Sequence, residues 1–285
     1  VWEVLSTGSW TALNNLGNLL NSGLDLLITN LMLNATAMGQ ISVAKNLESI
    51  AGAMILKISA SFRPRCLRMY AENKIDELAA LLKTAMRCTG GFCNLVVLGF
   101  WVCGSDFMAL WLPGQDTEFL FWAGLIVLLG DISTGAVHPL YYVYTLTKKL
   151  RLPCCITILM GAANVISMYI LLRYTTLGAY AVILTTLVIS LVHFVDAPLY
   201  AAHCLQLPWH TFYPMLARNT LSLAVGFAAG QLLRRVLPQA GSWAALAGKG
   251  LITLAVLAAV LAVILLPWQD WKRLVHRERK TNDKG

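Results

Sequence analysis

Eight continuous apolar runs divide this chain, near residues 8–32, 38–62, 88–112, 118–146, 154–172, 176–204, 217–237 and 243–267. A helix rising 1.5 Å per residue needs about 20 apolar residues to cross the hydrocarbon core of a bilayer, so each run reads as a membrane span. None alternates between apolar and polar residues as the strands of a membrane barrel do, and backbone groups in lipid are then satisfied inside each helix. The expected fold class is therefore all-α, a polytopic transmembrane helical bundle of about eight spans. Composition closes off the soluble alternative, because 58% of the 285 residues are hydrophobic and only 13% are charged.

The first two runs carry polar groups that lipid would not tolerate. Asn14, Asn18, Asn21 and Asp25 follow one another at steps of four, three and four residues. At about 100° per residue these steps keep the four side chains on one stripe of a helix, with Leu16, Leu19, Leu20, Leu24 and Leu27 free to face lipid. The next run brings Lys45, Glu48 and Lys57 to membrane depth. A charge at the bilayer centre costs about 2.5–3.5 kcal/mol on insertion scales, so four ionisable residues on adjoining spans mark a substrate or ion pathway. The turn near Asn34 is short, which predicts an antiparallel hairpin with Asp25 and Lys45 level, each about 10 Å from the turn. Opposite charges side by side would keep both groups ionised.

Eight spans return both ends to the same side. Arg63 to Arg87, Lys148 to Arg151, Arg218 and the tail from Lys272 to Lys284 place sixteen Lys or Arg there, against Arg173, Arg234, Arg235 and Lys249 opposite. By the positive-inside rule the basic side is cytoplasmic, so both ends are expected inside. The net charge of +8 is then an orientation signal and a match to anionic membrane lipids, with no nucleic acid implied. Between the second and third runs, Ile75, Leu78, Leu82 and Met86 repeat at helical spacing among charges, predicting an amphipathic cytoplasmic helix over residues 66–87. Residues 268–285 read as a basic cytoplasmic tail. Trp101, Trp111 and Trp122 suit interfacial anchoring on the far side. The seven cysteines show no metal-ligand spacing and read as small apolar packers, so neither a metal nor a cofactor is expected. The first residue is Val1 and no signal peptide precedes the first run, which reads as a chain lacking its natural beginning.

Later runs hold a second set of polar groups. Asp131 and His138 are seven residues apart on one helical face, and Pro139 breaks the hydrogen-bond ladder beside the histidine. His193 and Asp196 are three apart, with Pro198 following. For the asparagines, including Asn164, and for His193 and Asp196, hydrogen bonding that ties helices together is as good a reading as a pathway. For Asp25, Lys45 and Asp131 a pathway is the better reading, since a charge is harder to keep in lipid than an amide.

Two stretches resemble a known family. Ser22-Gly23-Leu24-Asp25 through Ile28, followed by Gly39-Gln40-Ile41-Ser42-Val43-Ala44, resembles the Asp-bearing helix and following Gly-x-Tyr-x-x-Ala of the Wzx-like polysaccharide flippases, with Ile41 in place of Tyr. Lys148-Lys149-Leu150-Arg151-Leu152-Pro153, then Gly161, Asn164 and Leu177-Gly178-Ala179, resembles the Lys-x-x-x-Pro, helical Asn and Leu-Gly-x-x-Gly/Ala series of the same family. These flippases belong to the multidrug/oligosaccharidyl-lipid/polysaccharide exporter superfamily. The resemblance implies a MATE-like half-transporter: a C-terminal six-helix bundle over residues 1–205, an additional two-span hairpin over 206–267, and a missing N-terminal bundle. It implies an undecaprenyl-type lipid-linked oligosaccharide as cargo, a role in exopolysaccharide or lipopolysaccharide biosynthesis, and a coupling cation, H⁺ or Na⁺. Lys45 and Lys57 would then meet the phosphates, and the Asn ladder the sugar hydroxyls.

Two other readings compete. Asp25, Glu48 and Asp131 would also serve a cation-coupled multidrug exporter of the same superfamily. A membrane-embedded glycosyl or acyl transferase would use Asp131 with His138, or His193 with Asp196, as acid and base. No catalytic signature surrounds these pairs and the loops are short, so the chain is expected not to be an enzyme.

Overall fold

The computed structural model describes residues 9–10, 12–13, 16–17, 19 and 23–265. Among them the chain is all helical, without a strand. The helices are α1 (Asp25–Met32), α2 (Ala35–Ala60), α3 (Arg63–Ala71), α4 (Ile75–Trp111), α5 (Thr117–Val137), α6 (Tyr141–Leu146), α7 (Arg151–Tyr174), α8 (Ala179–Cys204), α9 (Tyr213–Val236) and α10 (Trp243–Leu265). A 3₁₀ turn, His138–Leu140, joins α5 to α6. Five stretches are long and apolar enough to cross a membrane: Ile75–Trp111, Thr117–Leu146, Arg151–Tyr174, Ala179–Cys204 and Trp243–Leu265. With 26 and 24 residues, α2 and α9 have the length, but α2 carries Lys45, Glu48 and Lys57 and α9 carries Arg218, Arg234 and Arg235. Of the first apolar run, residues 8, 11, 14, 15, 18 and 20–22 lie outside the described residues, and its last 8 residues form α1.

Local chemistry sets the boundaries. Leu33 and Asn34 alone separate α1 from α2, and Asn34 starts α2 by accepting a 2.8 Å hydrogen bond from the Ala37 N–H. Asp116 caps α5 in the same way through the Phe119 N–H, at 3.0 Å. Such short connections force neighbouring helices to run in opposite directions. The ends of α2, α6 and α8 therefore share a side with the starts of α4, α7 and α9, and the basic loops collect there.

The amphipathic helix expected over residues 66–87 is divided. Asn73 takes a left-handed conformation, φ 56°, a geometry asparagine tolerates better than most residues, and it ends α3. Beside it Glu72 meets Lys74 and Arg68, each at 2.8 Å, and its hydrogen bond from Lys74 above all holds its carboxyl down at about 2. From Ile75 onward the chain is one unbroken helix to Trp111, since nothing between Met86 and Thr89 stops it and Gly90-Gly91 is tolerated inside it. Leu78, Leu82 and Met86 consequently lie against protein, packed with Leu140, Val143, Phe212 and Leu216, rather than on lipid.

With 37 residues, about 55 Å at 1.5 Å each, α4 is the element against which the others pack. On one flank α5 closes a core of Val97, Phe121, Leu125 and Leu128, joined by Ala51 and Ile55 of α2. On another, Leu98 meets Leu257, Leu261 and Leu265 of α10. The α4–α9 contact is polar at its centre: Asn94 Nδ2 donates to the Asn219 carbonyl at 2.9 Å and to Ser222 Oγ at 2.7 Å. Gly90 permits that approach, because a methyl group there would collide with the Asn219 amide. Gly90→Ala is therefore expected to cost about 1–3 kcal/mol through overpacking, read as a lower unfolding temperature in detergent. An unchanged midpoint would show that the two helices have slack there.

In α8, Pro198 removes one ladder hydrogen bond. Tyrosines from neighbouring elements bond carbonyls around it: Tyr213 donates to Val195 O at 2.8 Å and Tyr144 to Ala197 O at 3.2 Å.

Candidate functional site

Asp25 is the first residue of α1, where unpaired N–H groups favour a carboxylate, and it is fully buried. Its neighbours come from three other helices. Lys45 of α2 places Nζ 2.6 Å from Oδ2, Thr186 of α8 donates to Oδ2 at 3.4 Å, and Asn164 of α7 donates to Oδ1 at 3.5 Å. Both carboxylate oxygens thus face donors. Lys45 also reaches Glu48, one turn along α2, at 3.5 Å, so a single ammonium stands between two carboxylates.

These groups line a cavity of about 170 Å³ between α1, α2, α5 and α8, with Asp131, Thr134, Ser190 and the apolar Ile126, Val127, Ile183 and Leu187 on its walls. Asp131 Oδ2 is enclosed and accepts no hydrogen bond. The hydroxyls around it spend their protons elsewhere: Thr134 donates to the Asp131 carbonyl at 3.4 Å and Ser190 to Leu187 O at 2.8 Å. The cavity therefore presents one ammonium against three carboxylates and several hydroxyl oxygens.

The structure brings Asp25, Lys45, Glu48 and Asp131 together. Lys57 is not among them, because twelve residues along α2, about 18 Å, carry it to an exposed position away from the cavity lining. His138 is also elsewhere. α5 ends at Val137, the backbone tightens into the 3₁₀ turn, and the ring sits 3.1 Å from Ser59 Oγ between Tyr141 and Tyr142, farther along the side that faces α2 and off the cavity wall. Asn14, Asn18 and Asn21 lie outside the described residues. His193 Nδ1 and Asp196 Oδ1 are 3.4 Å apart and line no wall of this cavity.

Two features escaped the sequence reading. Thr134, Thr186 and Ser190 sit in apolar runs where a hydroxyl satisfied by its own helix is commonplace, and nothing local marks them out. A second enclosed ion pair joins α4 to α10: Lys249 Nζ is 2.8 Å from Asp106 Oδ2, which also accepts the Ala240 N–H at 3.0 Å. Its signal was one charge near the end of each of two apolar runs.

No protein-family model matches the chain. It is 26% identical to EpsK of Bacillus subtilis (strain 168), a membrane protein described as uncharacterized, over 98% of this chain and 55% of that one. Among solved structures it is similar to the lipid II flippase MurJ in an inward closed conformation, with a TM-score of 0.62 and 13% identity over 88% of this chain and 53% of that one. At that identity the likeness is one of fold. The chain spans about half the length of each protein it matches.

Proposed function

We propose that this chain forms part of a flippase that carries a lipid-linked oligosaccharide across the bacterial cytoplasmic membrane for cell-surface polysaccharide synthesis. The observation that supports this reading is Lys45, held by Asp25 and Glu48 on the wall of a cavity, in a fold it shares with a lipid II flippase. An undecaprenyl-type pyrophosphate is anionic where the sugar is joined, and an ammonium is its natural partner. Cargo would compete with Asp25 for Lys45, so it interacts differently with the closed and open arrangements, as any ligand that shifts a conformational equilibrium must. A cavity of about 170 Å³ holds roughly six waters at about 30 Å³ each, far less than an oligosaccharide. Admission of cargo therefore needs the bundle to move against a second one. Lys57 and His138 have no part in the cavity chemistry of this reading.

The test is export of lipid-linked oligosaccharide in a strain whose own flippase is deleted, with the gene encoding this chain expressed whole. Restored export is expected, and residues 1–285 expressed alone should give none. The excess of carboxylates favours one second reading, a cation-coupled exporter of organic cations. Efflux of an organic cation with no restoration of oligosaccharide export, at normal surface abundance, would replace the first reading with the second. Orientation is checked separately in a cysteine-free background. Gly114→Cys and Thr175→Cys are expected to react with an impermeant reagent from outside, and Lys74→Cys is not; the reverse pattern would invert the topology.

A further inference from the structure

A second cavity, of about 450 Å³, lies between α7, α8 and the segment after α8, away from the Asp25–Lys45 site. Its walls combine three kinds of surface. Leu152 and Ile156 of α7 and Leu199 of α8 are apolar, Tyr200 and Trp209 are aromatic, and Asp196 adds a carboxylate. Leu152 and Leu199 are 48% and 47% exposed on membrane-spanning helices, so the groove opens sideways onto lipid.

Asp196 has one side-chain neighbour able to carry the opposite charge: His193 Nδ1, one turn away, stands 3.4 Å from its Oδ1, which accepts no hydrogen bond, and the Asp196 side chain is 24% exposed. The nearby phenols are engaged with backbone: Tyr144 and Tyr213 bond the carbonyls around Pro198, and Tyr200 donates to Lys149 O at 3.3 Å. Those bonds hold the rings in place and leave the partly exposed side of the carboxylate without a phenol donor. A carboxylate beside aromatic faces is a receptor for an organic ammonium. Beyond the lining, Lys149, whose carbonyl accepts from Tyr200, and Arg151, whose guanidinium lies 6.0 Å over the Trp10 ring, are exposed where the chain enters α7 beside Leu152 and give that end a positive charge.

A slot open to lipid, an ammonium receptor and a basic rim correspond to the acyl chain, amine and phosphate of one molecule. We propose that this groove binds an aminophospholipid, with its primary ammonium on Asp196, its phosphate at Lys149 and Arg151, and an acyl chain along Leu152, Ile156 and Leu199. Asp196 lies eight residues, about 12 Å, inside the end of α8, so the bound amine is drawn below the usual headgroup level. That depth separates a resident lipid from the freely exchanging annulus. The inference is independent of what the cavity at Lys45 carries.

The experiment is titration of the delipidated protein with phosphatidylethanolamine or phosphatidylglycerol of identical acyl chains, followed by native mass spectrometry. The first bound phosphatidylethanolamine is expected to bind about tenfold more tightly than phosphatidylglycerol. Asp196→Asn should erase that preference while leaving phosphatidylglycerol binding unchanged. Ile156→Trp, which fills the slot and leaves every charge in place, should remove the high-affinity phosphatidylethanolamine as well. Equal affinities in the unaltered protein, or a preference that survives either substitution, would overturn the proposal. Should Asp196→Asn fail to fold, Ile156→Trp decides alone.

Discussion

Lys45→Met is expected to lower oligosaccharide export at least about a hundredfold, equivalent to roughly 2.7 kcal/mol or more, and to destabilise the protein as well. The substitution nearly keeps the side-chain volume and removes the charge. Asp25, fully buried, would be left with the Thr186 and Asn164 contacts at 3.4 and 3.5 Å. Stranding one member of a buried ion pair costs about 3–5 kcal/mol, because the remaining charge keeps its desolvation penalty and loses its partner. Asp25→Asn with Lys45→Met removes both charges, and should recover most of that stability without recovering export. The readouts are unfolding temperature in detergent and export at matched surface abundance for both single variants and the double. Stability losses that simply add would show the two residues to be uncoupled, and undiminished export by Lys45→Met would remove the lysine from the mechanism.

The second large effect is expected where no transport chemistry is proposed. Lys249→Met leaves Asp106 with the Ala240 N–H alone, and both side chains of this pair are less than a tenth exposed. A loss of about 3–5 kcal/mol is expected by the same argument. This pair joins α10 and the connection before it to α4, so protease sensitivity should rise first within residues 237–242. Export per folded molecule should stay unchanged, in contrast to Lys45→Met. An unaltered unfolding temperature would show that the apolar contacts of Leu98 with Leu257 and Leu261 hold α10 without the ion pair.

The contrast between these two pairs shows what sequence can convey. Asp25 and Lys45 are neighbours across a two-residue turn, so helical rise alone puts them level, and they stand 2.6 Å apart. Asp106 and Lys249 are separated by 143 positions. No local periodicity reports on a contact of that range. Asp131 shows the same limit, since its charge marks it as a pathway candidate while its place opposite Lys45 depends on how α5 packs against α2. His138 also turns toward α2, but seven residues, about 10 Å, carry it past the cavity to Ser59. The apolar face of Ile75, Leu78, Leu82 and Met86 is legible as amphipathic, but sequence does not say whether lipid or protein covers it. Here protein does, because the same helix runs on into the membrane and carries that face against α6 and α9.

The length of α4 has a mechanical consequence. About 30 Å of its roughly 55 Å suffices to cross the hydrocarbon, and the remainder projects at the basic side, wedged among α6, the 3₁₀ turn and the start of α9. A rod clamped along one flank by α5, along another by α9 and α10, and at its protruding end by a separate apolar knot has no joint at which to flex. The elements on it must swing as one lever. A displacement of about 1 Å at the level of Asp131 would be magnified toward the basic loops in proportion to distance along the rod. Any pivot must then lie outside α4, in the connections between it and the helices packed on it.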